Sequence, residues 1–216
     1  MSKVSIPKYS LSEELINAIS HGLGVGLGIV VLVLTICFSA AHHNVIGVVS
    51  SCIYGSTMII MYLISCLYHA LSPKLKAKKV FRVLDHCDIY AFIAGCYTPY
   101  SLCLIGGIKG WVIFGIIWAC AIIGILLNAI NLEKYQVISN IMYLGMGWMI
   151  IISFNSIRKE ILLPGLVLLV LGGIVYTIGA ILYGLGANKK YLHCIFHFFV
   201  LGGSILHFLS ILLYVL

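Results

Sequence analysis

The chain reads as an all-α integral membrane protein, a bundle of seven transmembrane helices forming one domain over residues 1–216. Three observations predict this. Hydrophobic residues make up 62% of the sequence and charged residues 9%, whereas soluble domains hold about half apolar and about a quarter charged. Apolar runs of about 19–25 residues recur, each able to cross roughly 30 Å of hydrocarbon at about 1.5 Å per residue. The runs are continuous rather than alternating, which argues against a barrel and leaves helix as the way to satisfy backbone polar groups in lipid.

Residues 10–20, SLSEELINAIS, place Ser10 and Glu13 at capping-box spacing and Leu11, Leu15, Ala18 and Ile19 on one face, predicting a short helix at the interface. Spans are expected at 22–41, 45–70, 85–105, 110–128, 135–157, 161–183 and 191–215, joined by short polar or turn-rich breaks. The first ends in Ser39, Ala40 and Ala41, small residues of the kind found at signal cleavage sites. Glu13 and Glu14 stand where a signal peptide would be basic, however, and the run is too long for a signal core, so a retained helix is expected. Its glycines lack GxGxxG spacing, and Gly24 and Gly28 read as a small-xxx-small helix contact.

Orientation follows from the cations. Lys3, Lys8, Lys74, Lys76, Lys78, Lys79, Arg82, Lys134, Lys189 and Lys190 fall on one side, and Lys109, Arg158 and Lys159 on the other. The positive-inside rule then puts the N-terminus in the cytoplasm and the C-terminus outside. The formal net charge of +7 reads as topology and contact with anionic lipid headgroups, with no nucleic-acid partner. The eight cysteines lie in or at the ends of apolar runs without a CxxC pair and are expected to pack as small residues.

Histidines carry the chemistry. His193 and His197 are four residues apart and share one helix face. Ser65 and His69 show the same spacing at the end of the second span, and Asp85, His86 and Asp88 open the third. With alternating span directions, His69, Asp85, His193 and His197 fall at one depth near the cytoplasmic side. Ionisable groups in a membrane span are costly, and one shared ion accounts for all three histidines. His207 lies about 21 Å further along than His193 and belongs elsewhere, packed between helices. His42 and His43 are expected in a solvated loop and His21 at the interface as a cap.

Three neutral imidazoles with an open fourth position are a ligand set of catalytic zinc, which lowers the pKa of its water to about 7. Asp85 or Asp88 is suited to orient that water or take its proton, and Ser65 to donate to a carboxylate or an oxyanion. That constellation fits hydrolysis. A closed structural zinc with Asp85 as fourth ligand would show the same residues, and histidines from two helices are also compatible with haem.

At NAISHGLG (17–24), SCLYHALS (65–72), DHCDIYAFIAGCYTP (85–99) and HCIFHFFVLGGSILHF (193–208), the sequence resembles the hemolysin III family, the bacterial branch of the progestin and adipoQ receptor superfamily. The resemblance implies a seven-helix plasma-membrane protein with Zn2+ held by His69, His193 and His197, Asp85 reaching the ion through water, and Ser65 as the family serine. It also implies membrane lipids as partners, since the superfamily includes receptors with ceramidase-like activity, while the bacterial branch is named for haemolysis and linked to lipid homeostasis. The expected function is a zinc-dependent hydrolase of lipid amides or esters. The alternatives are a membrane-perturbing or pore-forming cytolysin with a structural metal, and a lipid-sensing receptor. Ionisable residues gathered near one face, rather than stripes through the full depth of several helices, favour a site over a pore.

Overall fold

The computed structural model describes residues 4–185 and 189–216; Lys3, counted above among the cations, lies outside them. Among these residues the chain is helical throughout: α1 (Leu11–Ala41), α2 (Val45–Ala70), α3 (Lys76–Pro99), α4 (Gly107–Trp148), α5 (Phe154–Glu160), α6 (Leu163–Leu185) and α7 (Leu192–Tyr214). A π-helical turn, Tyr100–Ile105, extends α3, and a 3-10 stretch, Met149–Ser153, joins α4 to α5.

Six helices or continuous helical stretches are long and apolar enough to cross a membrane, against the seven separate spans expected. The difference lies at the predicted break between 128 and 135. Only Asn131 leaves helical geometry there (φ −159°, ψ 89°), so two helices meet across a one-residue kink within α4. The chain doubles back there. Ser139 Oγ donates to Asn128 Oδ1 at 2.6 Å and Asn128 Nδ2 donates to the Tyr143 hydroxyl at 3.1 Å, although eleven residues of straight helix would separate Ser139 from Asn128 by about 16 Å. α4 is therefore two arms folded at Asn131.

Two other boundaries move. Residues 10–20 form no separate interfacial helix: Ser10 caps α1, its capping box with Glu13 is present, and the helix runs unbroken to Ala41. The third span starts at Lys76 rather than at 85, turning a predicted loop into helix. Lys78 and Arg82 are consequently buried. Lys78 Nζ pairs with Glu14 Oε1 at 2.6 Å, and Arg82 contacts Glu133 and the Ser5 carbonyl.

Helix neighbours close a ring, α1 to α2, α3, α4, α6, α7 and back to α1. α1 presents its faces in the reverse of a soluble helix: Leu11, Leu15 and Ile19 are exposed, while Glu13, Asn17, Ser20 and His21 are buried. Lipid solvates the apolar side, and polar groups find partners inside. Gly24 and Gly28 make the predicted contact, since a Cβ at either would run into Tyr62 or Ile59 of α2. Past the π-helical turn, Gly106 and Gly107 hold φ of 61° and 56°, values that glycine adopts at no steric cost.

Candidate metal centre

α2 delivers His69 from its last turn and α7 delivers His193 and His197 from its first two turns. The Nε2 atoms of His69 and His193 lie 3.3 Å apart and those of His193 and His197 3.1 Å apart. One ring nitrogen from each of the three falls within 4.8 Å of the other two. His69 and His197 are almost wholly buried.

Hydrogen bonds at the far side of two rings fix which nitrogen faces inward. His69 Nδ1 donates to Glu14 Oε2 at 2.7 Å, leaving Nε2 as a bare lone pair. Ser20 Oγ donates to the Asn17 carbonyl at 3.0 Å, so at 3.3 Å from His197 Nδ1 its oxygen is the acceptor and that ring also turns a bare Nε2 inward. His193 Nε2 lies about 3 Å from both of these atoms, close enough for one cation to engage all three rings. Tetrahedral zinc with nitrogen ligands at about 2.0–2.1 Å sets neighbouring nitrogens about 3.3 Å apart, close to both separations. The residues therefore fit a tetrahedral metal ion.

The supports come largely from α1. Glu14 bridges His69 and Lys78, and Asn17 Nδ2 approaches His69 Nδ1 at 3.4 Å. Glu13 accepts the backbone N–H of Tyr191 at 2.8 Å, placing a carboxylate at the N-terminus of α7 just ahead of His193. Tyr9 closes the near side, stacked on the His193 ring at 5.1 Å and 21°. Burial pushes the Tyr9 phenol far above its usual range, so it meets the site as a neutral ring. None of these supports was foreseen. The signal available was a polar stripe, Glu13, Glu14, Asn17, Ser20 and His21, at helical spacing ahead of an apolar run.

His21 is no interfacial cap. It is 3% exposed and stacks on His197 with ring centres 3.6 Å apart. His42 and His43 are exposed at the turn after α1, as expected. Ser65 and Asp85 line the same cavity as His193 and His197, whereas Asp88 does not line it. Asp88 is buried with neither carboxylate oxygen hydrogen-bonded among the described residues. His86 bonds the Arg82 carbonyl and the Tyr183 hydroxyl, a structural position on the cavity wall.

From His193 and His197 the cavity runs among α2, α3, α4, α6 and α7 past Met61, Ile89, Phe92, Ile93, Cys96 and Val200 to His207. It is a largely apolar chamber with a polar, metal-competent end. Residues 9–208 match the family described as Haemolysin-III related, nearly the whole chain including every residue of this centre. The chain belongs to the haemolysin III family. It is 39% identical to Hemolysin-3 of Bacillus cereus over 206 residues, covering 95% of this chain and 93% of that one. The Hemolysin-3 homolog of Bacillus subtilis (strain 168) is 38% identical over 206 residues, 95% of this chain and 96% of the relative. The human Monocyte to macrophage differentiation factor is 28% identical over 171 residues, 76% of this chain and 69% of the relative. Membership of the haemolysin III family and six apolar helices make this a multi-pass membrane protein.

Proposed function

We propose that this haemolysin III protein is a zinc-dependent hydrolase of membrane lipids, acting on an amide or ester carbonyl. The observation that carries the reading is the convergence of three imidazole nitrogens, two of them from residues lining the end of a largely apolar cavity. Bound there, zinc supplies an activated water at neutral pH and polarises a carbonyl. Asp85, on the cavity wall, takes the proton from the attacking water and returns it to the leaving group. Ser65, one helical turn before His69 and on the same wall, donates a hydrogen bond from its hydroxyl to the developing oxyanion. The apolar chamber holds the acyl chain and excludes bulk water.

The two arms of α4 are read as separate crossings, making seven in all with a cytoplasmic N-terminus and an external C-terminus. The fold at Asn131 and the ten-to-three division of cations support this.

The name of the relatives, Hemolysin-3, supports a second reading, a cytolysin in which the metal braces the bundle. The apolar wall between the histidine centre and His207 weighs against a conducting pore. Lipid analysis of cells carrying wild type or His197→Ala at equal expression separates the two. A lipid amide or ester consumed only with the wild type supports hydrolysis. Lysis without any lipid difference supports the cytolysin.

A further inference from the structure

Two cavities adjoin at the end of the bundle away from the metal centre. The first is the chamber that starts at His193 and His197, with a volume of about 180 Å³. The second, of about 40 Å³ where a single water needs about 10–15 Å³, continues toward α5 past Ile150, Phe154 and Leu166. Both are lined by Cys96, Tyr97, Gly147, Trp148, Gly173 and His207, so one layer of residues divides them. Two of the six lack a side chain and a third is a small cysteine. The partition is therefore the rings of Tyr97, Trp148 and His207.

The three rings are held in different ways. The Tyr97 hydroxyl donates to the Gly147 carbonyl and accepts from the Ile150 N–H, each at 2.8 Å, and so secures the backbone where α4 ends. His207 Nε2 donates to the Leu169 carbonyl at 3.2 Å, and its ring fills a notch that a Cβ on Gly172 would occupy. His207 Nδ1 and the hydroxyl of Tyr100, a residue on the wall of the second cavity, are buried without a partner among the described residues. Protein covers both atoms, so neither cavity gains a polar contact from them. Trp148 is tied by a single side-chain hydrogen bond, Nε1 donating to Thr177 Oγ1 at 2.9 Å, and Thr177 has its own acceptor in the Gly173 carbonyl at 2.7 Å. The far edge of the indole lies over Gly173, where a Cβ would stand 3.7 Å from Cη2 and 3.8 Å from Cζ2. The indole thus reaches from α4 to α6 across the space that Gly147 and Gly173 leave open.

Resting on the lipid-hydrolase reading above, we infer that Trp148 determines acyl-chain length, its indole being the stop that the chain end meets when the carbonyl is at the metal. His197 and His207 on α7, and Tyr183 and Gly173 on α6, are each ten residues apart along the chamber, about 15 Å of helix. An extended chain covers that distance with about twelve carbons. A chain of about sixteen carbons has to displace the indole, fold back or withdraw its carbonyl, and forcing extra methylenes into a packed space is penalised. Truncating the indole joins the two cavities and gives the longer chain somewhere to go.

The test follows displacement of a fluorescent fatty acid from the purified full-length protein, in detergent with zinc present, by dodecanoic and hexadecanoic acids. The two are compared at equal mole fraction in the micelle, so that their different solubility in water cancels. Wild type is expected to bind hexadecanoic acid about tenfold more weakly than dodecanoic acid. Trp148→Ala should bring the two within about twofold of each other, and Trp148→Leu, a gentler truncation, should fall between. Trp148→Ala with Gly173→Leu, which returns carbon to the space the indole occupied, should restore the preference for the shorter acid. Size-exclusion elution in detergent checks that each variant is folded. Equal binding of the two acids by wild type would overturn the length stop and leave the acyl chamber intact. A tenfold preference that survives in folded Trp148→Ala or Trp148→Leu would overturn it as well, moving the stop to Tyr97 or His207. Failure of the fluorescent acid and both competitors to bind would overturn the acyl chamber and this inference together.

Discussion

Glu14 holds two partners with one carboxylate: Oε2 accepts from His69 Nδ1 at 2.7 Å, and Oε1 pairs with Lys78 Nζ at 2.6 Å. The first bond aims a metal-competent ring, and the second ties the start of α1 to the start of α3. Substituting Glu14 therefore separates into two effects. Glu14→Gln should weaken zinc binding about 10- to 100-fold, measured by chelator competition, because a partner of this kind orients the ring and raises its basicity. It should also leave the wholly buried Lys78 without its counter-charge, its bond to the Leu71 carbonyl remaining, at a cost of up to about 3–5 kcal/mol. Glu14→Gln with Lys78→Met should recover thermal stability without recovering metal affinity.

Removing a ligand should remove the ion. The purified protein is expected to hold about one zinc per chain, and alanine at His69, His193 or His197 should reduce this strongly, as read by elemental analysis. Full occupancy after loss of both His193 and His197 would end the shared-site reading.

Asp85→Asn separates catalyst from ligand. The amide keeps the size of the side chain and cannot take a proton at neutral pH. Zinc content should stay near the wild-type level while lipid turnover is abolished, measured by product release from detergent-solubilised lipid. Loss of zinc together with activity would instead make Asp85 a ligand.

Tyr9 covers His193 face to face, so Tyr9→Ala should open the near side of the centre. Zinc loss to an excess of chelator should accelerate several-fold while the stoichiometry before challenge is unchanged. Tyr9→Phe, which keeps the ring, should behave as wild type.

Single cysteines in a cysteine-free background report the crossings. One placed between Leu75 and Lys79 should react only with cytoplasmic thiol reagents, and one at Leu216 only with external ones. Both positions reacting from the same side would mean an even number of crossings, with the α4 arms forming a re-entrant hairpin instead.

The three-histidine cluster was legible because its signal is local. HxxxH puts two of the rings on one helix face, and the structure brings His69 against them. The supporting groups were not legible in this way. The apolar stripe Leu11, Leu15 and Ile19 suggested a helix lying at the interface, and the capping box supported the helix start. In lipid that stripe faces outward, and the opposite face, with Glu14, Asn17 and Ser20, becomes the interior. The rule that buries apolar residues in water points the wrong way for such a helix. The break between the fourth and fifth predicted spans is present but far tighter than a loop. Asn131 alone makes the reversal, so the polar residues around it could remain helical where a loop was expected.

His69 and His193 are 124 residues apart in sequence, yet their ring nitrogens meet. During synthesis α2 emerges long before α7, so the ion can find its full ligand set only once the later helix is in place. An ion bound there would act as a clasp between early and late parts of the ring, closing a loop whose entropic cost grows slowly with length. Metal content would thereby report completed assembly, since a population of chains arrested before α7 would lack two of the three imidazoles.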